Sequence, residues 1–469
     1  MTERAHLAVV GAGPAGLAAA LAAAARGVRV TLVDADGQAG GQFYRQPARA
    51  FGARRPQALH HQWRTWERLR DGLEAHLAAG RIIHLTGHHV WCAERKPGSS
   101  AREPGSFAVH ALRGPAQEEG ATVRADALLL ATGGYERVLP FPGWTLPGVV
   151  TAGGAQAMLK GGLVLPGRTV VVAGTGPLLL PVATGLAAAG ARVAALVESA
   201  GPGAVARRTP ALAAEPVKLA EAAWYAGQLL RYRVRTLARH TVLEAHGAGR
   251  LEAVTVAALG RDGRVRPGSA RRIPCDALAV GHGMLPHTDL AETLGCTLAG
   301  TAVRVDDEQR TDVPGVWAAG GTTGIGGAGL ALAEGHIAGR SIAARLHGTA
   351  PDPRSWAAAA RARDRGRAFF AALERVYAPP PGWADRITDD TVVCRCEEVT
   401  AGQVRTASGT LGAGDLRTVK LLTRAGMGWC QGRMCTPAVA GLTGCPPNPG
   451  RRPFARPVPL GILADLPDD

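Results

Sequence analysis

The chain opens with an apolar run that meets a glycine turn, continues through an alanine-rich stretch and returns to a second apolar run. Residues 6–36 read HLAVVGAGPAGLAAALAAAARGVRVTLVDAD. Short apolar runs on either side of a longer helix-forming segment are typical of a βαβ unit with two parallel, buried strands. We therefore predict a strand, a helix and a second strand that ends at Asp34.

The same pattern returns later and is accompanied by two more apolar runs that end in glycine turns. Residues 168–199 read RTVVVAGTGPLLLPVATGLAAAGARVAALVES. Two further runs, at 127–130 and 316–318, lead into ATGG and AAGG. Alternating strands and helices of this kind predict an α/β fold with two dinucleotide-binding, Rossmann-like domains.

Shifts in composition suggest where the domains begin and end. The arginine-alanine stretch RSWAAAARARDRGRAFFAALERVY predicts a helix, and the proline-rich APPPGW predicts its end and a short linker. We expect six segments: the first part of one dinucleotide fold (1–150), a second dinucleotide fold (151–280), a return segment of the first (281–348), a helical linker (349–390), a cysteine-bearing domain (391–446) and an extended tail (447–469).

Composition and charge limit the classes of function. The formal charge is +15, but the 53 basic residues include only four lysines, in a chain also rich in Ala, Gly and Pro. A GC-rich genome accounts for this bias, and the clusters of basic and aromatic residues that mark nucleic-acid binding are absent from the sequence. No uninterrupted apolar run reaches the ~18 residues of a membrane span. We expect a cytoplasmic protein that binds no nucleic acid.

The first glycine turn has the spacing of a dinucleotide site. Gly11 allows the tight turn, Gly13 lets the backbone approach a pyrophosphate, and Gly16 lets the helix pack closely on the strand. The helix N-terminus favours the anion. Asp34 follows Gly11 by 23 residues and is spaced to accept a hydrogen bond from a ribose hydroxyl.

The second glycine turn is incomplete. Gly174, Gly176 and Glu198 repeat the first two glycines and the acid, but Leu179 stands where the third glycine belongs. The fold tolerates this change more readily than tight ligand binding does. Two interpretations stay open: a structural fold without a bound ligand, and a site for NAD(P) or another adenine nucleotide.

Four of the eight cysteines form two tight pairs near the end of the chain. Their pattern is C-x-C, 33 residues, then C-x4-C, formed by Cys394, Cys396, Cys430 and Cys435. Four thiolates suit an iron-sulfur cluster or tetrahedral zinc, and unligated thiols are the remaining alternative. Cys445 lies outside the paired pattern, and Cys92, Cys275 and Cys296 are expected to be small core residues.

Taken in order, several motifs resemble one family. They are GAGPAG, GGQFYRQ, ATGGYERVLPFPGWTLPGVVTAGGAQ, CDALAVGHG, AAGG and the four late cysteines. The chain resembles flavoproteins with two interleaved dinucleotide folds of the pyridine nucleotide-disulfide reductase type and a C-terminal domain like bacterioferritin-associated ferredoxin. The family includes the FAD subunit of hydrogen cyanide synthase and the A subunits of opine oxidase and of hydroxyproline or proline dehydrogenases.

The resemblance implies FAD in the first fold and a 2Fe-2S cluster on Cys394, Cys396, Cys430 and Cys435 in a small helical domain. The implied FAD positions are Gly11, Gly13, Pro14, Ala15, Gly16, Asp34, Gly40, Gly41, Gln42, Thr132, Gly133, Gly320 and Gly321.

The sequence departs from the family pattern at two places, and each departure leads to an expectation about FAD binding or redox chemistry. Members usually have an acidic residue directly after AAG, where this chain has Gly320-Gly321. If the missing acid is a true deficiency, Gly321→Asp is expected to tighten FAD binding, whereas an unchanged affinity would mean that other groups have replaced the acid. Related disulfide reductases carry a redox cysteine pair beside the flavin, but only Cys92 lies between the first glycine turn and ATGG. Disulfide chemistry is therefore not expected.

The resemblance implies an FAD and 2Fe-2S subunit that relays electrons in a heteromeric amino-acid, imino-acid or opine dehydrogenase. Its expected partner is a second flavoprotein subunit that oxidises the substrate, and a small ferredoxin-like protein is an optional further subunit. The alternatives are an NAD(P)H-dependent reductase and a non-enzymatic redox-sensing or iron-handling module. No catalytic base is assigned, because His282, His287 and His336 each fit a structural role in their contexts.

Overall fold

A computed structural model of the protein describes residues 5–95, 106–206, 212, 215–446 and 452–465. By internal contacts the chain divides into two compact units, and both are discontinuous in sequence. Unit 1 comprises Met1–Tyr135, Leu285–Arg367 and Pro449–Asp469, and unit 2 comprises Glu136–Met284 and Ala368–Asn448. The predicted α/β fold with interleaved dinucleotide-binding domains is confirmed.

The strands and helices of the described residues are numbered in chain order. The strands are β1 (His6–Val10), β2 (Arg29–Val33), β3 (Ile82–Leu85), β4 (His89–Arg95), β5 (Phe107–Arg113), β6 (Glu119–Ala125), β7 (Ala127–Leu130), β8 (Gly134–Glu136), β9 (Val149–Thr151), β10 (Thr169–Gly174), β11 (Arg192–Glu198), β12 (Thr236–Ala238), β13 (His240–His246), β14 (Ala253–Ala258), β15 (Arg271–Pro274), β16 (Ala277–Gly281), β17 (Met284–Pro286), β18 (Leu298–Ala299), β19 (Ala302–Val303), β20 (Val316–Ala318), β21 (Val392–Cys394) and β22 (Val399–Thr400). The helices are α1 (Pro14–Ala24), α2 (Trp63–Ala78), α3 (Ala152–Gly162), α4 (Leu179–Ala188), α5 (Pro202–Ala206), α6 (Pro216–Arg231), α7 (Asp289–Thr293), α8 (Gly327–Leu346), α9 (Ala357–Val376), α10 (Ala401–Gly409), α11 (Leu416–Thr423), α12 (Thr436–Thr443) and α13 (Leu460–Ala464).

The centre of unit 1 is a five-stranded parallel sheet in the order β20-β7-β1-β2-β3. Its inner strands are buried on both faces, which explains why they read as continuous apolar runs. Helices α1 and α8 approach each other closely at two glycines. A Cβ atom on Gly335 would lie 2.1 Å from the Ala15 carbonyl oxygen, and one on Gly339 would lie 2.3 Å from that of Ala19.

The end of the chain returns to unit 1. The Phe454 ring packs edge-on against Trp91, and the Ala455 N–H donates to the Trp91 carbonyl oxygen at 2.8 Å. The tail was expected to be extended throughout, but it forms α13 at Leu460–Ala464. Residues 447–451 and 466–469 of the expected tail lie outside the described residues.

Unit 2 repeats the architecture with a parallel sheet in the order β12-β11-β10-β16-β9 and an antiparallel sheet of β13, β14 and β15. Unit 2 begins at Glu136 and its first segment ends at Met284, whereas the sequence patterns suggested residues 151 and 280. Leu179, which replaces the third glycine, begins α4 and is 1% exposed. The fold accommodates this side chain in its core.

The cysteine-bearing segment belongs to unit 2 and has its own small core of Val393, Val399, Val404, Val419 and Ala438. Its helix α10 begins with a capping box, in which Thr400 and Gln403 each bond the other's backbone N–H. The Trp144 indole N–H donates to the Val392 carbonyl oxygen at 2.6 Å, and a Cβ atom on Gly441 would lie 2.2 Å from the Trp383 ring. These contacts attach the segment to the rest of unit 2. Among the helices that the structure describes, none is long and apolar enough to cross a membrane.

Candidate functional site

The first glycine turn has the backbone that a dinucleotide requires. Gly11 has a φ of +104°, and a Cβ atom there would lie 2.4 Å from the Ala131 carbonyl oxygen. A Cβ atom on Gly16 would lie 1.9 Å from the Gly11 carbonyl oxygen. Both positions therefore exclude a side chain, as the sequence predicted from the close packing of strand and helix.

Gly13 faces open space at the start of α1. Apart from Gly13 itself and its neighbours in the chain, no described atom lies within 4 Å of the position that a Gly13 Cβ atom would occupy. Gly13 is the N-cap residue and has no side chain to bond the first N–H groups of the helix. Pro14 and Ala15 follow in the first turn. The open space beside a helix N-terminus fits a pyrophosphate group.

Asp34 follows β2 and carries an unsatisfied oxygen. Its Oδ1 accepts from the Asp36 N–H at 3.4 Å, while its buried Oδ2 has no hydrogen-bond partner among the residues described. Burial raises the pKa of Asp34 to about 6. A ribose hydroxyl would supply the missing donor, so this carboxyl fits the adenosine half of FAD.

The loop that carries GGQ lies against the glycine turn. Gly40 and Gly41 have φ angles of +122° and +58°, and a Cβ atom on Gly41 would lie 2.8 Å from the Gly13 Cα atom. Gln42, by contrast, is exposed, and its Oε1 accepts from the Arg45 Nε–H at 3.2 Å. The backbone of this loop is therefore closer to the predicted site than the Gln42 side chain is.

The loops after β7 and β20 meet through a threonine pair. The Thr132 hydroxyl donates to the His287 carbonyl oxygen at 2.7 Å and lies 3.0 Å from the Thr322 hydroxyl. The Gly133 N–H also donates to Thr322 Oγ1, at 3.1 Å. The structure thus joins the predicted residues Thr132 and Gly133 to the AAGG loop, at the carboxyl edge of the unit 1 sheet.

Gly321 has no room for an acidic side chain. A Cβ atom there would lie 2.9 Å from the Gly133 carbonyl carbon and 3.1 Å from its Cα atom. This close contact of two backbones works against the expectation that Gly321→Asp tightens FAD binding. The acid that the sequence lacks after AAG does not fit there.

A carboxylate nevertheless reaches this loop from α8. Glu334 is 1% exposed, and its Oε2 accepts from the Gly320 N–H at 2.8 Å and the Thr323 hydroxyl at 2.7 Å. Its Oε1 accepts from the Arg367 Nε–H at 2.9 Å. Sequence analysis missed Glu334, although a single acid inside the apolar helix sequence LALAEGHIAG was a usable signal.

The acid beside the second glycine turn already has hydrogen-bond donors from the protein backbone. Gly174 has a φ of +130°, and a Cβ atom there would lie 1.7 Å from the Gly281 carbonyl oxygen. Glu198 accepts from the Gly176 N–H at 3.1 Å and from the Ala200 N–H at 2.8 Å, one bond to each oxygen. Burial raises the pKa of Glu198 to about 7. Unlike Asp34, this acid already has donors for both oxygens.

The four late cysteines converge in unit 2. Cys394 ends β21, Cys396 is exposed in the turn that follows, Cys430 is half-buried, and Cys435 is buried directly before α12. The thiols interact in two pairs, Cys394 with Cys435 and Cys396 with Cys430. Burial, reinforced by the neighbouring thiols, raises the pKa of Cys435. Two neighbouring thiol pairs fit a cluster of two irons, each iron bound by two sulfurs.

Glycines shape the loop around these thiols. A Cβ atom on Gly428 would lie 2.2 Å from the Cys396 Cβ atom, and Gly426 and Gly432 have φ angles of +87° and +83°. Over the described ranges of the chain, no three His, Cys, Asp or Glu side chains are arranged to hold a single metal ion. All eight cysteines are free thiols; Cys275 and Cys296 are buried as expected, and Cys92 is half-buried.

The three histidines considered from the sequence lie in three different settings. His287 Nε2 is 3.0 Å from Asp289 Oδ2, and this carboxylate also binds Arg452 Nη1 at 3.0 Å. Burial lowers the pKa of His336 and lowers that of His282 to about 3. We assign none of them as a catalytic base.

Two protein families match the chain in separate regions. The pyridine nucleotide-disulphide oxidoreductase family matches residues 5–359, and the BFD-like [2Fe-2S] binding domain matches residues 392–442. The second match contains all four paired cysteines. It favours an iron-sulfur cluster over zinc or unligated thiols.

Relatives of known function match nearly the whole chain. Hydrogen cyanide synthase subunit HcnB of Pseudomonas aeruginosa is 34% identical over 91% of this chain and 90% of its own length. The opine oxidase A subunit of Agrobacterium tumefaciens is 32% identical over 98% of this chain and 92% of its own length. The crystal structure of L-proline dehydrogenase from P. horikoshii has the same fold, with a TM-score of 0.65 and 20% identity, over 99% of this chain and 81% of that one.

Proposed function

Since the chain belongs to the pyridine nucleotide-disulphide oxidoreductase family and is a flavoprotein with a BFD-like [2Fe-2S] binding domain, we propose that it relays electrons in a heteromeric amino-acid, imino-acid or opine dehydrogenase. The observation that carries this proposal is the presence, in one chain, of an FAD-type glycine turn with an unsatisfied Asp34 carboxyl and of two adjacent thiol pairs. The names of the relatives, which are subunits of larger enzymes, support it.

The first fold would hold FAD through its backbone and one acid. The N–H groups at the start of α1 face the open space beside Gly13, and Asp34 offers a carboxylate oxygen to the ribose. Glu334 fixes the Gly320 backbone at the opposite loop. When bound, the flavin accepts two electrons and an iron-sulfur cluster passes one at a time, so a chain with both can convert between the two modes.

The cysteine-bearing domain offers a surface for an electron-transfer partner. Cys396 is exposed, and Trp429, next to Cys430, is 66% exposed. On the same domain, Leu421 and Leu422 of α11 are 64% and 49% exposed. Large apolar side chains in such a position suit a contact between subunits. We therefore infer a partner subunit at this surface and propose a second flavoprotein that oxidises the substrate, with a small ferredoxin-like protein as an optional further subunit.

An NAD(P)H-dependent reductase is the second candidate function, and the second fold argues against it. Glu198 bonds the Gly176 and Ala200 N–H groups instead of leaving an oxygen for a ribose. The Thr175 hydroxyl donates at 3.4 Å to the carbonyl oxygen of Tyr377, a residue of the linker segment. These internal bonds must be replaced before a nucleotide can bind in the usual way. An adenine nucleotide that serves only as a structural ligand stays a separate possibility for this fold.

The test is an anaerobic titration of the complex purified with its native partners, followed by optical spectra. We expect proline, hydroxyproline or an opine to bleach the flavin absorbance in the complex and the isolated chain to show no efficient oxidation. NADH should leave the flavin oxidised or reduce it slowly. Rapid stoichiometric bleaching by NADH would establish the reductase instead, and a cluster without any reducible flavin would establish the redox-sensing module.

A further inference from the structure

Unit 2 contains a pocket that none of the functions above uses. The pocket is small and partly open to solvent. Four segments form its walls: the stretch after β8, strand β13, the residue that follows β16, and the linker that leads to the cysteine-bearing domain. The lining residues that matter here are Thr241, Val242, Leu243, His282, Trp383 and Arg386.

The guanidinium of Arg386 has a hydrogen-bond donor without an acceptor among the described residues. Its Nη1 atom is buried and has no hydrogen-bond partner among the residues described. The neighbouring acid does not fill this role, because Asp385 is largely exposed and its Oδ2 lies 3.8 Å from Arg264 Nη2. A buried cationic donor without an acceptor in the protein is costly.

The rest of the pocket adds no negative charge to balance Arg386. None of the ten lining residues is acidic. Desolvation, followed by the charges of Arg386 and Arg137, lowers the pKa of His282 to about 3. His282 is therefore neutral near pH 7 and adds no charge to the pocket. The site combines the positive charge of Arg386 with a neutral imidazole and no acid among its lining residues.

We propose that this pocket binds a small oxyanion, a phosphate or a carboxylate, through the guanidinium of Arg386. Two parallel oxygens match the fork of a guanidinium, which is why arginine is favoured at carboxylate and phosphate sites. The bound anion replaces the missing acceptor at Nη1. Because Nη1 is buried, the charge-assisted hydrogen bond to the anion is stronger than it would be in water.

The site also connects the second dinucleotide fold with the cysteine-bearing domain. Thr241, Val242 and Leu243 belong to β13, whereas Pro380, Trp383 and Arg386 belong to the linker. The ring of Trp383 packs against Gly441 of the cysteine-bearing domain. A bound anion therefore holds the linker onto the second fold and slows the opening of this segment.

The test is calorimetric titration of the FAD-loaded and cluster-loaded chain with inorganic phosphate and, separately, with butyrate. We expect saturable binding of at least one of the two anions. Whether phosphate or butyrate binds identifies the chemistry of the natural ligand. Arg386→Gln should weaken binding about tenfold or more, because it removes a charge-assisted hydrogen bond. Arg386→Lys, which keeps the charge, should retain part of the affinity.

The matched control is Arg192→Gln, the same charge change at an exposed residue of unit 2. It should leave affinity within about twofold, since an exposed charge contributes little. In the unsubstituted chain, the anion should also slow amide hydrogen exchange at 382–386 but not across α6. This measurement stays informative even if Arg386→Gln misfolds. Absence of saturable binding by both anions, or equal weakening by Arg386→Gln and by Arg192→Gln, would overturn the proposal.

Discussion

At the scale of single residues, two acids in equivalent positions of the two dinucleotide folds differ in one respect that matters for ligand binding. Asp34 keeps a buried oxygen without a donor in the described part of the chain, while both oxygens of Glu198 accept backbone N–H groups. A carboxylate that lacks a donor gains one when a ribose binds, whereas a satisfied carboxylate must first give one up. This difference favours a bound dinucleotide in the first fold.

We predict that FAD binds more tightly as the pH rises through about 6. Burial raises the pKa of Asp34 to about 6 in the FAD-free protein, and ribose hydroxyls that donate to the ionised form lower it again. FAD binding therefore releases a proton, and proton release strengthens binding with increasing pH. Asp34→Asn should weaken FAD binding about tenfold, by the loss of a charged acceptor, and abolish the pH dependence.

The control for this prediction is the stability of the FAD-free protein. Its free energy of unfolding should change with pH in the opposite direction to the FAD affinity. The pKa of Asp34 is higher in the folded state than its ordinary value of 3.8, so the folded state binds more protons between about pH 4 and 6. The free energy of unfolding should fall as the pH rises through that window, and Asp34→Asn should remove this contribution. An unchanged pH profile of FAD affinity in Asp34→Asn would contradict the role assigned to Asp34.

At the scale of elements, the flavin-side loops were only partly predictable. Glycine spacing predicts that the loops after β7 and β20 both border the cofactor, because the carboxyl ends of parallel strands meet at one edge of the sheet. It does not reveal that Gly321 touches the Gly133 backbone or that Glu334 reaches Gly320 from α8. Those contacts depend on how the loops and the helix pack in three dimensions.

We predict that Gly321→Asp lowers FAD content instead of raising it. The new Cβ atom would lie 2.9 Å from a backbone carbon of Gly133, so one of the two loops must shift, at a cost of about 1–3 kcal/mol. The measurement is the FAD released per folded chain, and we expect a decrease of about tenfold. Gly461→Asp is the matched control, because it makes the same chemical change where a Cβ atom has open space. A gain in FAD affinity for Gly321→Asp would show that the loops separate without cost.

At the scale of the whole molecule, local patterns identified the two glycine turns and the four cysteines, but not the long-range contacts of the chain. Trp144 bonds Val392 across 248 residues, and no spacing rule in the sequence predicts that pairing. The same limit applies to Arg386, whose unmet donor is evident only once the linker lies against β13. Sequence motifs report backbone requirements that repeat locally, whereas pockets arise from segments that are distant in the chain.

The predicted FAD residues and the paired cysteines lie in different units. We therefore predict that the cluster can be removed without removing FAD. The paired cysteines all lie in unit 2, whereas the predicted FAD residues all lie in unit 1. Cys430→Ser replaces a soft ligand by a hard one of similar size, so it should abolish the iron and sulfide content and the electron paramagnetic resonance signal of the reduced cluster. Most FAD should stay bound. Cys445→Ser, at a half-buried thiol outside the two pairs, should keep two irons and two sulfides per chain.

In the complex with its partners, Cys430→Ser should let substrate bleach the flavin while electron delivery to the external acceptor stops, because the one-electron carrier is missing. Anaerobic substrate titration and acceptor reduction, measured on the same sample, separate these two steps. Zinc in place of iron after anaerobic purification, or full acceptor reduction by Cys430→Ser, would contradict the relay. Since the thiols of Cys396 and Cys430 interact directly, Cys396→Ser should reproduce the loss.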